Sequence, residues 1–108
     1  MYLKFEKNKI RCRISKIEAM ELLKVGHLTD QVNFPSGHIF TFQLEATEQS
    51  ENKTKYSNST LTFLITRDTV ERLAKEPSKE GVTFLQDKAA YSFEIDVRQE
   101  RRKRIRKI

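Results

Sequence analysis

Sliding the chain along itself by 51 residues lays one hydrophobic pattern over another without a gap. Phe5 falls on Tyr56, Ile10 on Leu61, Cys12 on Phe63 and Ile14 on Ile65. Ala19 falls on Val70, Leu22 on Leu73 and Leu23 on Ala74; Phe40, Phe42, Leu44 and Ala46 fall on Tyr91, Phe93, Ile95 and Val97. Few of these positions are identical. The apolar positions nevertheless keep their phase through strand-like and helix-like stretches alike, which is the signature of a repeated structural unit.

Each unit reads as strand, strand, helix, strand, strand. Leu3 and Phe5 alternate with polar neighbours, and Lys7–Asn8 suits a tight turn. Ile10, Cys12 and Ile14 then face one way while Lys9, Arg11 and Arg13 face the other. At Ser15 the alternation changes to helical spacing with no loop between. "SKIE" is a capping box, in which the Ser15 hydroxyl accepts from a first-turn amide and Glu18 reaches back. Ile17, Ala19, Met20, Leu22 and Leu23 supply an apolar stripe, and Gly26 suits a left-handed helix end. "TDQVNF" is a weaker strand, "PSGH" a turn, and "IFTFQLEA" a strand with Phe40, Phe42, Leu44 and Ala46 on one face. In the second unit "KYSNSTLTFLI" gives the hairpin, Thr66 the cap, Asp68 the negative charge that a helix start favours, and Pro77 the stop. "VTFL" and "YSFEIDV" form the closing pair.

A unit of this size is marginal for a core of its own, so two copies are expected to bury their apolar faces against each other. The expected fold is α+β: a pseudo-twofold duplicated β-β-α-β-β unit, mainly antiparallel or barrel-like, with two short helices. Residues 1–100 read as one domain of two repeats, 1–48 and 52–98, joined by the polar "TEQSENKTK". Residues 101–108 read as a basic tail. Six basic residues among its eight repel one another, so it is expected to be disordered when free.

Charge is distributed unevenly. Residues 98–108 hold seven Arg/Lys and one Glu, net +6, which equals the net charge of the whole 108-residue chain. Residues 4–16 are net +5, and residues 17–97 are net −5. The chain therefore has a basic pole at each end. Alternate residues on a strand lie about 7 Å apart, close to the phosphate spacing of one DNA strand, and Arg grips phosphate bidentately. Lys9, Arg11 and Arg13 are thus candidate nucleic-acid contacts, as are Arg101, Arg102, Lys103, Arg104, Arg106 and Lys107 of the tail. The competing reading of the first three is a solvated outer face paired in part with Glu6. For the tail it is a solubilising end or the ragged end of the last strand; acidic lipid, with Ile105 and Ile108 as weak apolar contacts, is a second candidate target.

Catalytic chemistry finds little support. His27 and His38 read as surface residues, Cys12 as a small hydrophobe in the core, and no spacing suits a metal, a nucleophile elbow or a phosphate loop. No cofactor is expected. No apolar run approaches the ~20 residues of a membrane span. The start lacks the apolar core of a signal peptide. The sequons at Asn52 and Asn58 carry meaning only with secretion, and a lone Cys suits a reducing compartment, so a cytoplasmic location is expected.

Two resemblances follow from these residues. "KFEKNKIRCRISKIEAMELLKVGHL" resembles the opening of a family of small uncharacterised bacterial proteins, with its Asn turn, "I-R-x-R" strand and immediate helix; that resemblance implies no activity. The element order also resembles the swapped-hairpin fold of AbrB- and MazE-like regulators. There Asn8 matches the turn, Ile14–Ser15 the step into the helix, and Arg11 and Arg13 the outward basic positions. This resemblance implies a barrel and DNA contacts. The second hairpin departs from it, with Thr60, Thr62 and Leu64 where the first has Lys9, Arg11 and Arg13.

The expected function is a small non-enzymatic binding module, associated with DNA or RNA through the tail and first hairpin. The alternative is a protein-interaction module that offers a strand edge or apolar groove, including to an acidic protein. It is expected as a monomer with internal pseudo-dimer symmetry or as a weak homo-oligomer. If nucleic acid is the partner, log K should fall with log salt at about −0.9 per phosphate contact, and deleting residues 101–108 should flatten that slope. An absence of binding at low salt would remove the nucleic-acid reading.

Overall fold

The computed structural model describes residues 1–76 and 81–96. Pro77, Val97 and the basic tail lie outside the described residues. The elements follow the expected order: β1 Tyr2–Glu6, β2 Lys9–Ser15, α1 Lys16–Val25, β3 His27–Asn33, a 3₁₀ turn Pro35–Gly37, β4 Ile39–Thr47, β5 Lys53–Ser57, β6 Thr60–Thr66, α2 Arg67–Lys75, β7 Val82–Gln86 and β8 Ala89–Asp96.

Both helices start where the sequence changes period. The Ser15 hydroxyl accepts from the Glu18 amide (3.1 Å) and the Glu18 carboxylate accepts from the Ser15 amide (2.9 Å), completing the capping box. Gly26 closes α1 at φ +92°, its N–H donating to the Leu22 carbonyl at 2.8 Å. Thr66 caps α2 by accepting from the Thr69 amide at 3.2 Å. Here the returning bond comes from outside the helix: Asn52 Oδ1 accepts from the Thr66 amide at 2.8 Å.

The fold is α+β, with two helices and two four-stranded mixed sheets. The strand orders are β1-β2-β8-β7 and β3-β4-β6-β5. The four hairpin pairs are antiparallel, while β2–β8 and β4–β6 are parallel. Each sheet takes one hairpin from each repeat, because the helix that follows β2 or β6 carries the chain across to the other sheet. The sheets stay open. The expected barrel-like closure is corrected here: β1, β7, β3 and β5 are edge strands.

The 51-residue step holds for the first hairpins, where the pair Leu3–Cys12 has its twin in Thr54–Phe63. It slips by two residues in the last strand. Cys12 lies beside Phe93 but Phe63 beside Leu44, so Phe93 corresponds to Leu44 and not to Phe42. The slip changes nothing about which face is buried, because side chains alternate with a period of two.

The core lies between the sheets and beneath the helices. Cys12, Ile14, Leu44, Phe63, Ile65, Phe93 and Ile95 meet Ala19 and Leu22 of α1 and Val70 and Leu73 of α2. The expected stripe on α1 is narrower than the sequence implied: Ile17 and Met20 are exposed, at 66% and 63%. Glu18 must turn back toward Ser15 and the terminal ammonium of Met1. Ala19 and Leu22 pack into the core, and Ile17 and Met20 lie outside. Two outward positions of β6 are likewise covered. Thr62 and Leu64 are buried, flanked in register by Lys53, Lys55, Gln43 and Glu45.

Gly26 and Gly81 separate the cost of a left-handed backbone from that of a collision. At Gly26 (φ +92°) a Cβ would meet nothing within 4 Å; at Gly81 (φ +62°) it would lie 2.0 Å from the Phe93 carbonyl oxygen. Gly26→Ala should cost about 1 kcal/mol in urea unfolding, and Gly81→Ala distinctly more.

Candidate interaction site

Parallel pairing places all four hairpin connections at one end of the molecule and both helices at the other. The turns are joined across each sheet, by Ala90 N–H to the Asn8 carbonyl (2.9 Å) and Thr41 N–H to the Ser59 carbonyl (2.9 Å). At the helix end the core is sealed. At the turn end the two sheets are lined by aromatic rings, and the two sides of that end differ.

One side is closed. Phe63 packs edge-on against Phe84 and Tyr91, with centroids 6.5 and 5.9 Å apart, and Phe84 stacks on Tyr91 at 5.7 Å. Across the gap between β7 and β5, the Gln86 carboxamide bonds the main chain of Thr54. Its Oε1 accepts from Thr54 N–H at 2.8 Å, and its Nε2 donates to the Thr54 carbonyl at 2.9 Å.

The other side is open. Leu3 and Phe5 of β1 face Val32 and Phe34 at the end of β3, with Phe40 and Phe42 between them, around a cleft of about 500 Å³. Phe40 is the hub, 6.1 Å from Phe5, 6.2 Å from Phe34 and 6.1 Å from Phe42. Phe5 is 61% and Phe34 50% exposed, an unusual density of uncovered aromatic surface for so small a protein.

The backbone of β1 adds polar groups to this apolar wall. Glu6 and Lys9 flank a two-residue turn, so they exchange both ladder bonds, and pairing alternates from there. Tyr2, Lys4 and Glu6 thus direct their peptide groups at β2, whereas Leu3 and Phe5 direct theirs away from the sheet. Thr54, twin of Leu3, also points its peptide groups outward, and there Gln86 takes them. On β3 the phase is opposite. Ala46 N–H donates to the Gly26 carbonyl (3.0 Å) and Phe34 N–H to the His38 carbonyl (2.7 Å), so the cleft-facing Val32 already bonds β4. Along the β7 edge the residues with outward peptide groups, Thr83 and Leu85, face away from the cleft. Among the described residues, Leu3 and Phe5 combine cleft-facing side chains with outward peptide groups that nothing takes.

The basic residues singled out from sequence are placed differently. Arg13 Nε donates to Glu94 Oε1 at 2.6 Å, its Nη1 lies 3.9 Å from Asp96, and its guanidinium sits 5.7 Å above the Tyr2 ring. Arg11 reaches Glu6 at 3.4 Å. Lys9 stands opposite Glu6 in the hairpin register. Arg101, Arg102, Lys103, Arg104, Arg106 and Lys107 lie outside the described residues. Glu94, which sequence reasoning did not single out, is only 6% exposed on the outer face of β8. Its partner could have been found from the parallel alignment of "RCRIS" with "SFEID".

The remaining chemistry is committed to structure. Cys12 is buried, and desolvation pushes its thiol up to about 12, so it is not a nucleophile at neutral pH. Burial works against ionisation of Glu18, but hydrogen bonds from the Met1 ammonium and Ser15 outweigh it and hold its carboxyl below the ordinary 4.5. A depressed carboxyl stabilises the fold above its unfolded value, and that contribution is lost as pH falls through the folded one. Among the described residues no group of His, Cys, Asp and Glu could hold a metal ion, and no helix is long and apolar enough to cross a membrane.

The geometry defines a duplicated α+β protein of two open mixed sheets with one uncovered aromatic cleft. Residues 1–101 match the model of a family of unknown function, DUF7009, and the protein belongs to that family. The expected membership of a family of uncharacterised proteins is met. No curated protein and no solved structure matches the chain, and the resemblance to AbrB- and MazE-like regulators is not confirmed.

The ion pairs give Arg13 and Lys9 different weights. Arg13→Ala strands the buried Glu94 carboxylate and should cost about 2 kcal/mol in chemical unfolding. Lys9→Ala should stay within about 0.5 kcal/mol of the parent.

Proposed function

We propose that the protein is a non-catalytic interaction module whose partner is an extended protein segment, received beside β1 and over the aromatic cleft. One observation carries this reading: of two edges related by the duplication, one is closed by Gln86 and its twin is left open over Phe5, Phe34 and Phe40. An extended segment beside β1 would bond the outward peptide groups of Leu3 and Phe5. Its alternate side chains would enter the cleft, a division of labour in which main-chain bonds give affinity and pockets give specificity. The engagement of Arg11 and Arg13 with carboxylates favours this reading over an outer-face contact with phosphate. Action in the cytoplasm suits a thiol with no disulfide partner.

A second reading, contact with DNA or RNA, rests on the +6 charge of residues 98–108 together with Lys9. The same charge suits an acidic protein partner. The salt dependence described above separates both from an apolar contact.

Selection of displayed linear peptides against the full chain tests the proposal. Enriched peptides should carry apolar residues at alternate positions and bind with little dependence on salt. Phe34→Asp, with its fold verified by circular dichroism, should weaken them by about tenfold or more. No enrichment, or binding indifferent to Phe34→Asp, would overturn the reading.

A further inference from the structure

The open edge of β1 is complementary to itself. Resting on the reading of β1 as a receiving edge, we propose that one extended segment it accepts is β1 of a second copy of this chain. The pair would be antiparallel about a twofold axis, with Phe5 opposite Phe5.

Only residues whose peptide groups point away from the sheet can form the new ladder bonds, which restricts an antiparallel β1–β1 pair to three registers. Centring it on Lys4 sets Lys4 against Lys4, and like charges directly opposite are destabilising. Centring it on Leu3 sets Lys4 against Tyr2, which offers no compensating charge. Centring it on Phe5 sets Lys4 against Glu6 twice, on the outer face, while Phe5 and Phe5 exchange ladder bonds and meet on the cleft side. Charge therefore selects the third register. In it the two β1-β2-β8-β7 sheets become one continuous sheet, and the two clefts meet across the axis.

Two further features agree. Edge strands are guarded by Pro, by inward-pointing charge and by Lys, and of these β1 carries only Lys4, which this register sets against Glu6. On β1 the inward positions Leu3 and Phe5 are apolar and Pro is absent. On β3, the other edge of the cleft, Asp30 occupies an inward position opposite Phe42. The twin of β1 also shows the bonding that an added strand would supply, since Gln86 gives Thr54 one donor and one acceptor as a peptide group would.

Sedimentation equilibrium of the full chain, from micromolar to near-millimolar concentration, tests the proposal. The parent should show a reversible monomer–dimer equilibrium. Lys4→Glu alone and Glu6→Lys alone should each weaken it by about tenfold, and the double exchange should restore it. A general charge effect would act the other way for Lys4→Glu, which lowers the net charge from +6 and so reduces repulsion between copies. A parent that stays monomeric throughout would overturn the proposal, as would dimerisation unchanged by Lys4→Glu or a double exchange no better than the singles. Those outcomes leave the peptide selection untouched. Peptides that bind a strictly monomeric parent would sink self-pairing alone, and a dimer that accepts no peptide would sink only the broader reading.

Discussion

The parallel ladder between β2 and β8, with its twin between β4 and β6, is the constraint on which the rest of the molecule depends. A parallel pair needs a crossover between its strands. Here the crossover is nearly the whole chain for one sheet, and the loop through Asn52 with strand β5 for the other. Cys12 and Phe93 are neighbours although both helices and the other sheet lie between them along the chain. Neither repeat can complete a sheet by itself, so the duplication is a condition of folding and not an ornament on a fold that would exist without it. Such non-local pairing also implies slow folding for a chain of this size.

From the ladder follows the polarity of the molecule. Because β2 and β8 run together, as do β4 and β6, the four turns must gather at one end and the two helix starts at the other. The helix end is closed by Ala19, Leu22, Val70 and Leu73, whose side chains complete the core over Ile14, Ile65 and Ile95. Among the described residues the turn end has no equivalent lid. What closes it on one side is a single carboxamide and an aromatic triad; on the other side the equivalent strands leave the rings uncovered. Duplication supplied two equivalent edges, and the difference between them comes down to a few residues: Thr54 and Gln86 where the first half has Leu3 and no amide in reach.

The sequence made the element order, the caps at Ser15 and Thr66 and the inward faces of the strands legible, because these depend on local chemistry and on side-chain period. Sheet topology was not legible in the same way. A hairpin declares its own partner, but nothing in "RCRIS" announces that "SFEID" will lie parallel to it. That is why Arg13 read as a phosphate contact or part of a solvated face, and why Glu94 was not singled out as its partner. The rotation of α1 was also hidden, since Ile17 and Met20 satisfy the helical period as well as Ala19 and Leu22 do. Which face is buried is decided by packing against the sheets and α2, which local sequence does not announce. The cleft residues were all recognised as apolar strand positions. Their exposure could not be foreseen, because it depends on which of two similar edges finds an amide to cover it.

The cleft belongs to the turn end of the molecule, and the described part of β8 ends at the other. Asp96, the last described residue of β8, stands beside Ser15 at the helix end. The cleft and the outward peptide groups of Leu3 and Phe5 belong to the turn end. An apolar partner on β1 would therefore leave Asp96 and the helix end uncovered. The two modes also respond to different conditions: phosphate contacts weaken steeply with salt, whereas burial of Phe5 and Phe34 is non-directional and is strengthened by salts excluded from protein surfaces. With Arg11 and Arg13 held by carboxylates, the hairpin's outer face is a weak bridge between the poles. Each end can then be examined by itself, and binding at one is no argument against binding at the other.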